Sequence, residues 1–405
     1  MSDVRNISHQ TTDVYPKDTT GMHTSLNTEN STSVLNTENV TNYTEGMRDN
    51  VSEIYEKQQK QYDTGYFWHI TDIHLDQNYS INGSDENMCH LMKSSLPTSH
   101  NNSSTDNGLF GNPDCDSPEI LLLAVTVKSI DSLPHTQNSH ADWDAVYETI
   151  KNITSYLTAE FPDVPIVTCL EITTRLLPSE PPLGDGGIYR GYLNKGGWNT
   201  LTVGSSDLLH FEKGGYYSVK IKEGLRIISL NTVLWYTSNQ LTADISDPEN
   251  QLEWLSKTLQ ISSRLSEKVY IIGHVPPGFH NRVAGNKKGR AMYHAQHLKS
   301  YMNLLLTYSE IIAGQFYGHF HLDMFQVFRY GTEFLQGSAF IAPPINPWHE
   351  RGLGLPVNPS IRLMHFSLTD FKLLDYDQYY LNLSKANSQN YSNPEVSDNI
   401  SHSLN

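Results

Sequence analysis

The sequence predicts an α/β fold, and three observations carry that expectation: short apolar runs of strand length, helical stripes between them, and a Gly or polar residue closing each run. The runs are YFWHIT (66–71), LRIISLNT (225–232), KVYIIGH (268–274) and EIIAGQFYGH (310–319). Runs this short and this rich in Ile, Val, Tyr and Phe suit strands buried on both faces. Asp247-Pro248 predicts a helix start, with an N-cap and a Pro at the first helical position, and Leu252, Leu255 and Leu259 follow at i, i+3, i+7. A second helix is predicted over about 290–307, with Tyr293, Leu298, Met302 and Leu305 facing the core. Strand, helix, strand is the order of a sheet with crossover connections.

Bulk properties narrow the partners. The 405 residues suffice for one large domain or two modest ones. A formal net charge of -16 repels a long polyanion, so a nucleic-acid polymer is not expected as partner. No run of about 18 apolar residues is present, so no transmembrane segment is expected. The N-terminus MSDVRNISHQ lacks the basic start and apolar stretch of a signal peptide, whereas Asn30, Asn39, Asn42, Asn78, Asn82, Asn152 and Asn382 all head Asn-x-Ser/Thr acceptors. Of the three cysteines, Cys89 and Cys115 share a turn-rich stretch and are expected to form the one disulfide, leaving Cys169 as a buried thiol.

Residues 1–62 are rich in Asn, Thr, Ser and Glu, and SLNTEN (25–30) is echoed by VLNTEN (34–39). Such composition buries too little apolar surface to offset chain entropy, so this segment is read as disordered. Residues 385–405 share the composition and the reading, which leaves 63–384 as the folded domain.

Three motifs carry chemistry, each just past an apolar run. In T-D-I-H-L, Asp72 and His74 are two apart, so in extended chain both side chains point to one side. In G-H-V-P, His274 stands where Pro276 and Pro277 stop the strand, and in Y-G-H-F-H, Gly318 precedes His319 and His321. Mixed carboxylate and imidazole ligands of this kind suit zinc, manganese or iron. His294 and His297 lie at helical spacing and are read as packed or solvated. Trp68, Trp254 and Tyr317 are read as core, Tyr236 and Trp348 as pocket aromatics.

The order Asp-x-His, Gly-His, Gly-His-x-His resembles the calcineurin-type metallophosphoesterases. The segments FWHITDIHLD, FGNPDCDSP (110–118), KGGYYSV (213–219), NQLEWLSKTL, KVYIIGHVPPG, IIAGQFYGHFHLD and KLLDYDQYYLNLS narrow the resemblance to the acid sphingomyelinase-like phosphodiesterases, over about 63–390. The resemblance implies a four-layer α/β/β/α sandwich and two divalent metal ions, zinc first among them. It places Asp72, His74 and His321 on one ion and His274 and His319 on the other. In D-S-L-P-H, Asp131 matches the position of a bridging ligand and His135 that of a substrate-facing acid. The implied reaction is attack of a metal-bridging hydroxide on the phosphorus of a small phosphodiester or nucleotide pyrophosphate, by a monomer that is secreted or lysosomal. Sphingomyelin itself is less expected, because no saposin-like segment is visible.

The sequence also departs from the family. Only 12 residues, EILLLAVTVKSI, separate Pro118 from Asp131, where relatives fit a helix and a buried strand. The Gly-Asn-His that should follow VPIVTCL is replaced by Glu171-Ile172-Thr173-Thr174, and the chain ends soon after YYLNLS. Losing a general acid typically costs about 10²–10⁴ in rate. The alternative expectation is therefore a catalytically impaired secreted glycoprotein that keeps the scaffold, or an incomplete gene product.

Overall fold

The computed structural model describes residues 5–7, 63–91, 107–121, 143–170, 187–201, 208–280, 290–330, 333–334, 338–349, 356–388 and 397–403. In chain order the strands are β1 (Arg5–Ile7), β2 (Thr64–His69), β3 (Tyr217–Lys222), β4 (Leu225–Ser229), β5 (Lys268–Ile272), β6 (Phe279–His280), β7 (Arg290–Ala291), β8 (Ile312–Tyr317), β9 (Met324–Val327), β10 (Arg329–Tyr330), β11 (Glu333–Phe334), β12 (Ala339–Ile341), β13 (Ser360–Ser367), β14 (Leu373–Tyr380) and β15 (Ser397–Ser403). The helices are α1 (Trp143–Glu160), α2 (Gly187–Asn194), α3 (Leu208–Gly214), α4 (Gln251–Arg264), α5 (Ala295–Thr307) and α6 (Leu383–Ser388).

Two sheets hold the architecture. The larger runs β1-β9-β12-β8-β5-β4-β3, and its centre, β4-β5-β8-β12, is parallel. The smaller is antiparallel, β15-β14-β13-β2. Side chains alternate faces along a strand, and the sequence uses both faces. On β5, Val269 and Ile271 turn to one core with α4 and α5, while Tyr270 turns to the layer between the sheets. On β2, Phe67 faces that same inter-sheet layer and Trp68 packs against the core under α1, α2 and α3. Helices, sheet, sheet, helices is the expected four-layer sandwich.

The helix at Asp247 starts later than its sequence suggests. Pro248–Asn250 forms a 3₁₀ turn, and the Asp247 carboxylate accepts the amides of Leu252 (2.8 Å) and Glu253 (3.0 Å) in the first turn of α4. α5 is shorter than the predicted 290–307: Tyr293 stands outside it, bridged to Tyr236, and His294 occupies its N-cap. Within the two segments read as disordered, Arg5–Ile7 pairs with β9, residues 385–388 belong to α6 and Ser397–Ser403 pairs with β14, while residues 1–4, 8–62, 389–396 and 404–405 lie outside the described residues. Cys89 and Cys115 are disulfide-bonded and Cys169 is a free thiol, as expected. No helix among the described residues is long and apolar enough to cross a membrane.

Candidate metal centre

The centre forms where strands of both sheets end side by side. β2 of the smaller sheet delivers Asp72 and His74, β5 of the larger delivers His274, and β8 delivers His319 and His321. The approach is close because Gly318 lacks a side chain: a Cβ there would lie 1.7 Å from Thr71 Oγ1 and 2.5 Å from Asp72 Oδ2.

The ligand atoms of Asp72, His74 and His321 all lie within 4.8 Å of one another, and all three residues are buried. Asp72 Oδ1 is 3.2 Å from His321 Nε2 and 3.8 Å from His74 Nε2. Beside them, His274 Nε2 and His319 Nδ1 are 3.1 Å apart. The His319 amide donates to both Asp72 carboxylate oxygens, at 3.0 and 3.1 Å, and so fastens the second group to the first. One carboxylate and two converging imidazoles, enclosed and oriented, fit a divalent ion by donor type and spacing.

The surrounding groups set these side chains. Thr71 Oγ1 donates to Asp72 Oδ2. The His321 Nδ1–H lies 3.1 Å from the Trp348 carbonyl, which turns Nε2 toward Asp72, the arrangement that fixes ligating histidines generally. The Trp348 amide donates a hydrogen bond to Asn346 Oδ1 (2.9 Å), while Asn346 donates from Nδ2 to Asp116 Oδ1 (2.8 Å) and from its amide to the Asp72 carbonyl (2.9 Å). Tyr236 meets His319 edge-on at 5.1 Å and Trp348 meets His321 at 5.7 Å, so both expected pocket aromatics stand at the centre.

Electrostatics follow from this crowding. Burial raises the pKa of Asp72, but His321 beside it, then His74 and His274, outweigh burial and hold the carboxyl well below its usual range. Nearby, burial and then the Arg362 charge lower His69 to about 3, so that ring is neutral. Burial and then Asp72 push the Cys169 thiol up to about 12, which leaves it inert.

Backbone conformation marks the same residues. Asp72, His74, His319 and His321 have φ of 55°, 44°, 73° and 52°, in the left-handed region that costs a non-glycine residue about 1–3 kcal/mol. Such strain persists where surrounding contacts over-determine it.

Five expected site residues thus converge. Asp131 and His135, expected as bridging ligand and acid, lie outside the described residues, as does the 171–174 segment. Thr71, Asn346 and Asp116 were missed by the motif reading; the polar Asn346-Pro347 turn after the apolar run of β12 is the signal that could have pointed to one of them. His294 and His297 are structural as expected: their Nε2 atoms pair with the carbonyls of Asn239 (2.9 Å) and Ile245 (2.7 Å).

A two-sheet sandwich with an Asp-x-His and a Gly-His-x-His closing on one buried centre defines a metallophosphoesterase. Residues 336–404 match the model of the acid sphingomyelin phosphodiesterase C-terminal region. The chain is 35% identical over 351 residues to the cyclic GMP-AMP phosphodiesterase SMPDL3A of Bos taurus, covering 83% of this chain and 75% of that one. It is 32% identical over 340 residues to sphingomyelinase phosphodiesterase C of Dictyostelium discoideum, covering 79% and 74%. A dimetal phosphatase from Danio rerio overlaps at a TM-score of 0.34 with 10% identity, over 65% of this chain and 80% of that one, too little to bear on the site. The chain belongs to the acid sphingomyelinase-like phosphodiesterases, a family of metal-dependent hydrolases.

Proposed function

We propose that the protein hydrolyses phosphodiester or nucleotide pyrophosphate bonds in small substrates, using two divalent ions, zinc in both positions. The observation that carries this reading is the buried Asp72, His74 and His321 triad flanked by the paired His274 and His319. Asp72, His74 and His321 would hold one ion, His274 and His319 the other, with Asp131 between them. When bound, the ions would polarise the phosphoryl oxygens and generate a nucleophile from water near neutral pH. His135 would donate a proton to the leaving oxygen, a task suited to an imidazole titrating near neutrality. A cyclic dinucleotide is the substrate the first relative's name favours.

Secretion of a monomeric glycoprotein is proposed with it. The Cys89–Cys115 disulfide suits an oxidising compartment, and Asn78 and Asn82 lie exposed in acceptor triplets.

A second reading, an impaired enzyme on an intact scaffold, is favoured by one observation: Glu171-Ile172-Thr173-Thr174 contains neither Asn nor His. Metal analysis with turnover of bis(p-nitrophenyl) phosphate at pH 5–7 separates the two. Two ions per chain, with turnover abolished in His74→Ala, supports the hydrolase; one ion or none with no turnover supports the scaffold.

A further inference from the structure

His274 stands two residues past the end of β5, and the backbone that carries it is bonded on every side. Its own carbonyl accepts from the Gly318 amide (3.0 Å), one residue before His319. The Val275 amide, at the other end of the same peptide unit, donates to Thr232 Oγ1 (2.8 Å), and the Val275 carbonyl accepts from Tyr293 Oη (2.7 Å). Pro276 and Pro277 follow with no amide to offer, so these side-chain bonds take the place of a ladder.

Thr232, Val275 and Tyr293 close a ring of hydrogen bonds. Tyr293 Oη gives its one proton to the Val275 carbonyl, so its hydrogen bond with Thr232 is accepted from the Thr232 hydroxyl. Thr232 Oγ1 in turn accepts from the Val275 amide. All three residues are buried, where such bonds polarise one another and no water substitutes for a missing partner.

Both anchors are themselves fixed. The residue before Thr232 is Asn231, whose amide donates to Gln251 Oε1 (2.7 Å) and whose carbonyl accepts from Gln251 Nε2 (3.1 Å), at the first position of α4. Tyr293 bridges Tyr236 through the backbone, and on either side the Thr237 amide donates to the Met292 carbonyl (2.9 Å) and the His294 amide to the Trp235 carbonyl (2.8 Å). Tyr236 is the ring that meets His319 edge-on. The Thr232 methyl packs too: a Cβ on Gly273 would lie 2.6 Å from Thr232 Cγ2.

We propose that Thr232 and Tyr293 are positioning residues for the second half of the centre, their hydroxyls locking the His274–Val275 turn so that His274 Nε2 faces His319 Nδ1. They act through the backbone, because both hydroxyls bond main-chain atoms of the residue that follows His274. Ligand atoms need to be held to roughly 0.5 Å, and a loop after a strand end supplies that only when its peptide groups are fixed. Service to a second ion rests on the two-metal reading above; the placing of His274 does not.

Three substitutions test this. Thr232→Val keeps the branched shape without the hydroxyl, Thr232→Ser keeps the hydroxyl without the methyl, and Tyr293→Phe removes the other hydroxyl. With zinc alone titrated into the metal-free full chain against a chelator, Thr232→Val and Tyr293→Phe are expected to weaken the second ion about 10-fold and Thr232→Ser to stay close to the parent. In a His274→Ala background the same substitutions are expected to leave the affinity for the remaining ion unchanged, because their effect runs through His274. A further loss there, or Thr232→Ser as weak as Thr232→Val, overturns the proposal, since general packing predicts both.

A second measurement needs no metal. In metal-free protein carrying isotope-labelled histidine, the ring-nitrogen resonances of His274 and His319 report the 3.1 Å contact between them. They are expected to shift in Thr232→Val and Tyr293→Phe and to return in Thr232→Ser, while His297, held by the Ile245 carbonyl, stays in place. Unchanged resonances overturn the proposal at any metal content. Shifted resonances in a parent that binds a single ion remove the two-metal reading and leave the positioning role standing.

Discussion

The two halves of the centre are built on different chemistry. Asp72, His74 and His321 combine one carboxylate with two imidazoles, all buried, and form the only such cluster of three among the described residues. His274 and His319 are two imidazoles alone, and His319 is half-buried. A carboxylate offsets part of a dication's charge inside a low-dielectric site, whereas neutral imidazoles do not. On these donors the first half is expected to hold a dication more tightly than the second.

The largest effect should come from removing that carboxylate. Asp72→Asn is expected to lower turnover by about 10²–10³-fold or more and to empty the first position, while His274→Ala leaves one ion per chain. Metal analysis by mass spectrometry decides between them, and equal losses in both variants would erase the asymmetry.

The disulfide probes the first half from outside. The Asp76 amide donates to the Ser117 carbonyl (2.8 Å) and the Ser117 amide to the His74 carbonyl (3.1 Å), so the loop holding Cys115 braces the Asp72 side. Closing a loop across a separation of 26 residues contributes about 3.5 kcal/mol. Paired Cys89→Ser and Cys115→Ser substitutions should lose that in denaturant unfolding, and should weaken the first ion more than the second.

A smaller effect is expected at Gly318. An added Cβ displaces Thr71 and Asp72, so Gly318→Ala should weaken first-site metal affinity by about 10–100-fold, the usual scale for disturbing groups that orient ligands. Chelator competition measures it, and unchanged affinity would show that the close approach is not required.

The smallest is a pH effect at the brace. His90 Nε2 lies 2.6 Å from Asp76 Oδ2, and that hydrogen bond raises the His90 pKa in the folded chain. A raised pKa contributes stability that is complete below the unfolded value of about 6.5 and is lost as pH rises through the folded value. The melting-temperature difference between the parent and His90→Gln should be largest at pH 5 and shrink toward pH 8; a constant difference would remove the proton from the account.

Much of the centre was legible because its five converging side chains sit at short steps from strand ends. Asp72 and His74, or His319 and His321, are two residues apart just after apolar runs, but extended chain is not what turns each pair together, since all four have left-handed backbone. What motif reading could not reach were groups brought in by other strands. Asn346 and the Trp348 carbonyl follow β12, 25 residues or more from the nearest ligand in sequence, and no local pattern ties them to His321. Shortened helix starts at Asp247 and His294 escaped for a similar reason: Tyr293 and His294 are held by loop contacts with Tyr236 and Asn239 that override helical spacing.

By itself the sequence determined the α/β alternation, the disulfide, the family and the five residues that converge at the centre, because each is written in short-range pattern. Only the tertiary structure decided that Asp72 and His74 come from a different sheet than His274, His319 and His321. It alone set four of those five residues in left-handed backbone. Those outcomes depend on how two sheets close against each other, and residues more than two hundred positions apart must meet before any of them exists.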